Sequence, residues 1–478
     1  MSNSSFQRVS SIPKIACPYV LTISGAHTYR LLPPLAANCT DAEGKSGWTV
    51  QLFERGKHGK PIQTINGHKE AAYSPIGGFD AKFKDVRLST TFTPTESGSH
   101  YLGCSGIGPT KVTINDQVVY DQKSNCEDAM AFLLGGIPEE EFNYSFTKGV
   151  SYQILIQTTP ATGGETHGGI LEGLPGFRLG FMSTEEHDKD LLSEAVDVAR
   201  ECDYAIVFTG HTPVWETEGQ DQLSFNLPKD GSQDKLVNAV ASANSNTIVV
   251  NSTGVAIAMP WLSKVSAVLQ AWFPGQEAGN AIADVISGAV NPSGRLPISW
   301  PKRIEDAPAY GNFPGVKKDG QLTVRYEEGV FVGYRHYDRL LQDKVQFPFG
   351  FGLSYTNFSL KDATVSQSPG GKFTTSITAV NTGKEAGATV VQLYIGRTKQ
   401  SPEHPIKTLA AFEKVFLEAG QEQQVVLDVG LKDFAYFDES SGAWNVEKGR
   451  YEFWFGQSTQ HVEDVVGVDV EGARALKL

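Results

Sequence analysis

Cysteine is scarce in this chain: five in 478 residues, at positions 17, 39, 104, 126 and 202, with no Cys-x-x-Cys pair. An odd count at such wide spacing argues against a disulfide framework and against a cysteine-ligated zinc. No HExxH, EF-hand loop, Cys/His cluster or Asp-Asp pair occurs, so neither a metal nor another cofactor is expected. Runs of 18 apolar residues are also missing, which predicts no membrane-spanning helix. Basic charge is in deficit, with Lys+Arg 41 against Asp+Glu 54 and a formal charge of −13. That balance disfavours a non-specific grip on polyanions, so nucleic acid and acidic membrane surfaces are poor partners. The first residues, Met1 to Lys14, carry no apolar leader. The expectation is therefore a reduced, cytoplasmic protein in which the sequons at Asn38, Asn143, Asn251 and Asn357 stay unmodified.

What is present is an ordinary globular composition, 40% apolar and 20% charged, in a chain long enough for about three domains. The pattern changes along it. Residues 1-44 are irregular and proline-interrupted, and Ile15 to Ile23 is a candidate strand of a later domain. Residues 45-183 are β-rich, with short β-branched runs such as Lys111-Val-Thr-Ile-Asn and the period-two stretch Tyr152-Gln-Ile-Leu-Ile-Gln. Over 184-352, helical periodicity alternates with fully apolar strands: Asp190 to Arg200, Tyr204 to Gly210, Ser232 to Ala243, Thr247 to Asn251, Ala267 to Trp272 and Glu277 to Ile286. That alternation predicts an α/β sandwich with a mainly parallel sheet, covered on both faces, and ligands at the carboxyl ends of its strands. Residues 353-478 return to regularly spaced strands, a second all-β region, with Trp444, Trp454 and Phe455 expected in its core.

Three stretches carry a resemblance. Ala271-Trp-Phe-Pro-Gly-Gln-Glu-Ala-Gly, running on to Asn291-Pro-Ser-Gly-Arg-Leu-Pro, resembles the C-terminal domain of family 3 glycoside hydrolases. Phe347-Pro-Phe-Gly-Phe-Gly-Leu-Ser-Tyr resembles that family's passage into a fibronectin III-like domain. Trp48 to Phe181, with Phe92-Thr-Pro-Thr-Glu-Ser-Gly-Ser-His-Tyr, is similar to the PA14 β-sandwich that some fungal β-glucosidases insert into the α/β domain. The resemblance implies a multidomain α/β plus all-β protein. It also implies a catalytic (β/α)8 barrel carrying the nucleophilic Asp, for which the 44 residues ahead of the sandwich are too few.

By the same resemblance Glu218, in Trp215-Glu-Thr-Glu-Gly-Gln-Asp-Gln, matches the general acid/base, with Trp215 and Asp221 around it as substrate-binding or loop-orienting residues. The loop departs from the family where Gln222 stands in a position commonly held by Arg. An isolated glutamate is more often a solvated loop carboxylate, and Glu216 reads as a helper or a surface charge. Histidine is the other proton-transfer candidate near neutral pH. His27, in Ile23-Ser-Gly-Ala-His-Thr-Tyr-Arg, and His211, ending a strand, are the candidates. Tyr29 and Arg30 could bind substrate oxygens or simply pack, and His167 ranks lower.

Proton-transfer groups without an attacking carboxylate suit intramolecular chemistry. The first expectation is thus a repurposed, non-hydrolytic enzyme that isomerises or cyclises a hydroxylated aromatic or polyketide-like molecule, for example by oxa-Michael ring closure. His27 or His211 would act as base and Glu218 as proton donor. The alternatives are a truncated β-glucosidase completed by a separate barrel subunit, and a non-catalytic carbohydrate-binding protein built on the PA14-like module. Self-association into a homo-oligomer is a further expectation.

Overall fold

A computed structural model describes the chain except residues 1–30, 58, 74–80, 83, 134–136, 162–171, 213–214, 217–221, 223, 229–230, 340–341, 400–402 and 477–478. The expected strand Ile15 to Ile23 lies outside the described residues. The chain divides into two compact units, Thr22–Asp203 with Thr209–Asn244, and Met1–Leu21 with Tyr204–Phe208 and Ser245–Leu478.

The first unit is built on an antiparallel β-sandwich. One sheet runs Gln63–His68, Trp48–Glu54, Lys84–Phe92, Tyr152–Thr158, Thr110–Ile114, Gln117–Gln122, with the short strand Cys39–Thr40 also on Lys84–Phe92. The other runs Ala72–Tyr73, Phe177–Met182, Gly98–Gly106, Glu140–Phe146. Period-two alternation does the sorting. In Tyr152–Thr158 the residues Ile154 and Ile156 are buried, and Ile154 lies opposite Thr90 on one side and Ile114 on the other. They meet Trp48, Leu52, Leu88, Phe92, Leu102 and Phe177 in one core. The Trp48 indole N–H donates to the Leu35 carbonyl at 3.0 Å, so its polar atom is satisfied inside that core.

After the sandwich come helix α1 (Leu191–Glu201) and strand β1 (Ala205–Gly210). Then follow helix α2 (Ser232–Ala243), strand β2 (Thr247–Ser252), strand β3 (Ala267–Gln270) and helix α3 (Ala278–Ser287). Asp190 caps α1 by accepting from the Ser193 amide at 3.1 Å, which fixes where the helix begins. α1 and α2 pack on each other, and Asn244, just past α2, donates to the carbonyls of Ala199 and Cys202. The sheet is ordered β1-β2-β3, with β2 and β3 parallel. β2 is buried along Thr247–Asn251, as a strand covered on both faces must be. β1 is not. Ala205, Val207 and Thr209 are buried while Ile206 and Phe208 stand exposed, Phe208 at 62%. Helix α3 likewise has no buried residue. The expectation of a sheet covered on both faces therefore holds for β2 and fails for β1, whose continuous apolar run conceals one open face.

From Phe358 onward the second unit is a fibronectin III-like sandwich. Its sheets are Phe358–Ser368, Lys372–Asn381, Glu422–Gly430, and Thr408–Leu417, Gly387–Arg397, Gly449–Ser458, His461–Val470. Phe373, Ile377, Leu393, Phe453 and Phe455 fill the space between them. Trp454 alternates to the opposite side of its strand from Phe455 and is only half-buried. Trp444 is also half-buried and lies edge-on to Phe437. Of the three aromatics expected inside, Phe455 alone is core. The two signature stretches of the sequence meet here. Asn291 accepts from the Ser354 hydroxyl and the Tyr355 amide, each at 2.8 Å. Arg295 donates to the Gly352 carbonyl (2.8 Å), the Thr389 hydroxyl (2.8 Å) and the Gln457 amide oxygen (3.1 Å). Burial pushes its guanidinium down to about 10, and nearby Glu463 opposes that shift.

Candidate functional site

β1 ends at Gly210, whose N–H and carbonyl are both held by one side chain of α2. Gln233 accepts from the Gly210 N–H at 2.8 Å and donates to the Gly210 carbonyl at 2.9 Å. A primary amide offers a donor and an acceptor side by side, so it can satisfy a strand end that has run out of ladder partners. The chain beyond this point then turns. The amides of Trp215 and Glu216 both donate to the Thr212 carbonyl, at 2.8 and 2.9 Å.

That turn returns Glu216 to His211. The carboxylate oxygen Oε2 lies 2.5 Å from Nδ1 of an imidazole whose side chain is fully buried, and Glu216 itself is 21% exposed. Gln222 Nε2 lies 3.3 Å from the same ring nitrogen. The indole of Trp215 is buried and tilted against the imidazole at 6.4 Å between ring centroids. The other imidazole nitrogen, Nε2, is buried with no hydrogen-bond partner among the described residues, as is the hydroxyl of Thr212. A carboxylate this close to Nδ1 draws the ring proton to that nitrogen, which leaves Nε2 as an acceptor.

Of the residues expected from sequence, His211 and Trp215 are therefore brought together at the carboxyl end of β1. Glu218, Asp221, His27, Tyr29, Arg30 and His167 lie outside the described residues. Sequence reasoning did not find the His211–Glu216–Gln222 cluster or the role of Gln233. The available signal was a histidine directly after an apolar strand with a glutamate five residues on. Only the turn at Thr212 makes those two neighbours. At the ends of β2 and β3 a second polar group forms, also at carboxyl ends. Asn251, fully buried, donates to Thr253 Oγ1 at 3.0 Å and to Gln270 Oε1 at 2.6 Å.

The glycosyl hydrolase family 3 C-terminal domain matches residues 40–334, and a fibronectin type III-like domain matches residues 389–459. The chain belongs to glycosyl hydrolase family 3. Over 457 residues it is 51% identical to beta-glucosidase B of Emericella nidulans, covering 94% of this chain and 54% of that protein. It is 35% identical to probable beta-glucosidase I of Aspergillus oryzae, covering 90% of this chain and 52% of that one. In structure it resembles beta-glucosidase from Kluyveromyces marxianus, solved with glucose, at a TM-score of 0.77 and 33% identity, covering 94% of this chain and 53% of that one. The chain thus spans about half the length of the relatives it matches.

These relatives overturn the expectation of an isomerase or cyclase, since every protein named above is a β-glucosidase. The chain matches about half of each relative, so a nucleophile absent from it is not evidence of a different chemistry.

Proposed function

We propose that this chain serves β-glucoside hydrolysis, and that it supplies the proton-transfer side of the reaction. The observation that carries this reading is the 51% identity to beta-glucosidase B, sustained over 94% of the chain. In a retaining mechanism one carboxylate attacks the anomeric carbon while a second carboxyl group protonates the departing glycosidic oxygen. The same group then removes a proton from the water that releases the sugar. Glu218 is our assignment for the second role, and Asp221, Trp215, His27, Tyr29 and Arg30 are assigned to its surroundings. The attacking carboxylate would come from a further domain, on this chain's own polypeptide or on a separate barrel subunit. The antiparallel sandwich between Trp48 and Met182 is, in this reading, an insert of the PA14 type.

Uncovered apolar side chains support a further domain. Ile206 and Phe208 on β1, and Tyr310, Phe313, Val316, Leu322 and Tyr326 farther on, are exposed in the second unit, Tyr326 at 81%. Exposed apolar surface on this scale marks an interaction site.

The test is hydrolysis of a nitrophenyl β-glucoside by this chain combined with the N-terminal half of beta-glucosidase B. Glu218→Gln should lower kcat/KM on a poor leaving group about 10²–10⁴-fold and much less on dinitrophenyl glucoside, which departs without a proton, while kcat on dinitrophenyl glucoside falls because the water that releases the sugar has lost its base. Wild-type rates for that variant on both substrates would refute the assignment.

A further inference from the structure

We infer that His211 is a positioning residue, whose buried imidazole ties together the two ends of the segment that carries Glu218. The inference rests on the proposed role of Glu218 and adds a residue that acts through it. Glu216 and Gln222 are six positions apart, and Glu218 lies between them in the sequence. Both reach one atom: Nδ1 of His211 is 2.5 Å from Glu216 Oε2 and 3.3 Å from Gln222 Nε2.

The anchor beneath them is rigid by construction. His211 follows Gly210 directly, and Gly210 is gripped through both its N–H and its carbonyl by Gln233. The imidazole is fully buried, so it cannot swing out to water without opening its surroundings. Hydrogen bonds to an ionised carboxylate are stronger than neutral ones, and screening is weak where solvent is excluded. One ring nitrogen carries one hydrogen. With that hydrogen given to Glu216, Gln222 meets it best through its amide oxygen, which a half-turn of the amide exchanges with the nitrogen. Glu216 and Gln222 then accept from a single N–H, so that positions 216 and 222 are held on one atom.

A different origin for the same burial would be packing alone, a histidine that only fills space beside Trp215. Two substitutions separate these origins. His211→Phe keeps the ring and loses both nitrogens. His211→Asn loses the ring but places an amide N–H near the position of Nδ1.

The experiment is amide hydrogen exchange on the full chain, together with hydrolysis in the combined assay above. His211→Phe should raise exchange at Glu216 and Gln222 at least tenfold, leave the β-sandwich amides unchanged, and lower kcat about tenfold with KM within twofold. His211→Asn should recover most of the lost protection. Wild-type exchange at both positions in His211→Phe would overturn the inference, and so would equal loss in the two variants. Should Glu218→Gln hydrolyse normally, the role of Glu218 fails, while the exchange data still decide whether His211 holds the loop.

Discussion

Asp306 is a carboxylate buried to 3% exposure that nonetheless keeps its charge. Arg303 approaches it through two nitrogens at 3.1 and 3.2 Å, and Lys344 lies 3.3 Å away. The hydrogen bond from Arg303, reinforced by Lys344, holds its pKa below the ordinary aspartate value against the opposing effect of burial. A lowered folded-state pKa contributes stability above the unfolded value of about 3.9, and that contribution is lost as pH falls through the folded value. Asp306→Asn should therefore destabilise at pH 7 by about 1 kcal/mol, a modest figure because both cations are substantially exposed. The deficit should shrink as urea unfolding is repeated at successively lower pH below about 4. A pH-independent difference would show that the carboxylate's charge is not what matters there.

At the scale of elements, the decisive join is between β1 and α2. Gln233 pairs both backbone groups of Gly210, the last residue of β1. Gln233→Leu has the right volume and no polar atoms, so the Gly210 N–H and carbonyl would lose both partners. The expected cost is about 2 kcal/mol in chemical denaturation, since each buried group left unpaired costs about 1–3 kcal/mol. Gln233→Glu restores the acceptor but sets an oxygen against the Gly210 carbonyl, and should be no better than Gln233→Leu at pH 7. A stability equal to wild type in both variants would mean that the strand end finds other partners.

For the whole molecule, the uneven covering of β1 is the informative feature. Its inward residue Val207 is 6% exposed, and its neighbours Ile206 and Phe208 are open at 39% and 62%. In the chain by itself Phe208→Ser should leave the denaturation midpoint nearly unchanged, whereas Val207→Ser should cost about 2 kcal/mol from lost burial and an unpaired hydroxyl. Phe208→Ser should also reduce self-association, measured by sedimentation, and weaken capture of the N-terminal half of beta-glucosidase B. Equal sensitivity of Phe208 and Val207 in the isolated chain would contradict the exposed face.

The sequence by itself determined what local covalent pattern can determine. Period-two stretches became strands, and the helical periods near 190, 232 and 277 became helices within a residue or two, because alternation and capping are set by neighbours along the chain. The motifs around Asn291 and Phe347 identified the family, and the structure shows them bonded to each other. Tertiary structure alone decided which side of β1 is covered, since an apolar run looks the same whether one face or two are buried. It alone put Glu216 and Gln222 on His211, because that meeting depends on a turn at Thr212 and a buried ring, and spacing along a chain encodes neither.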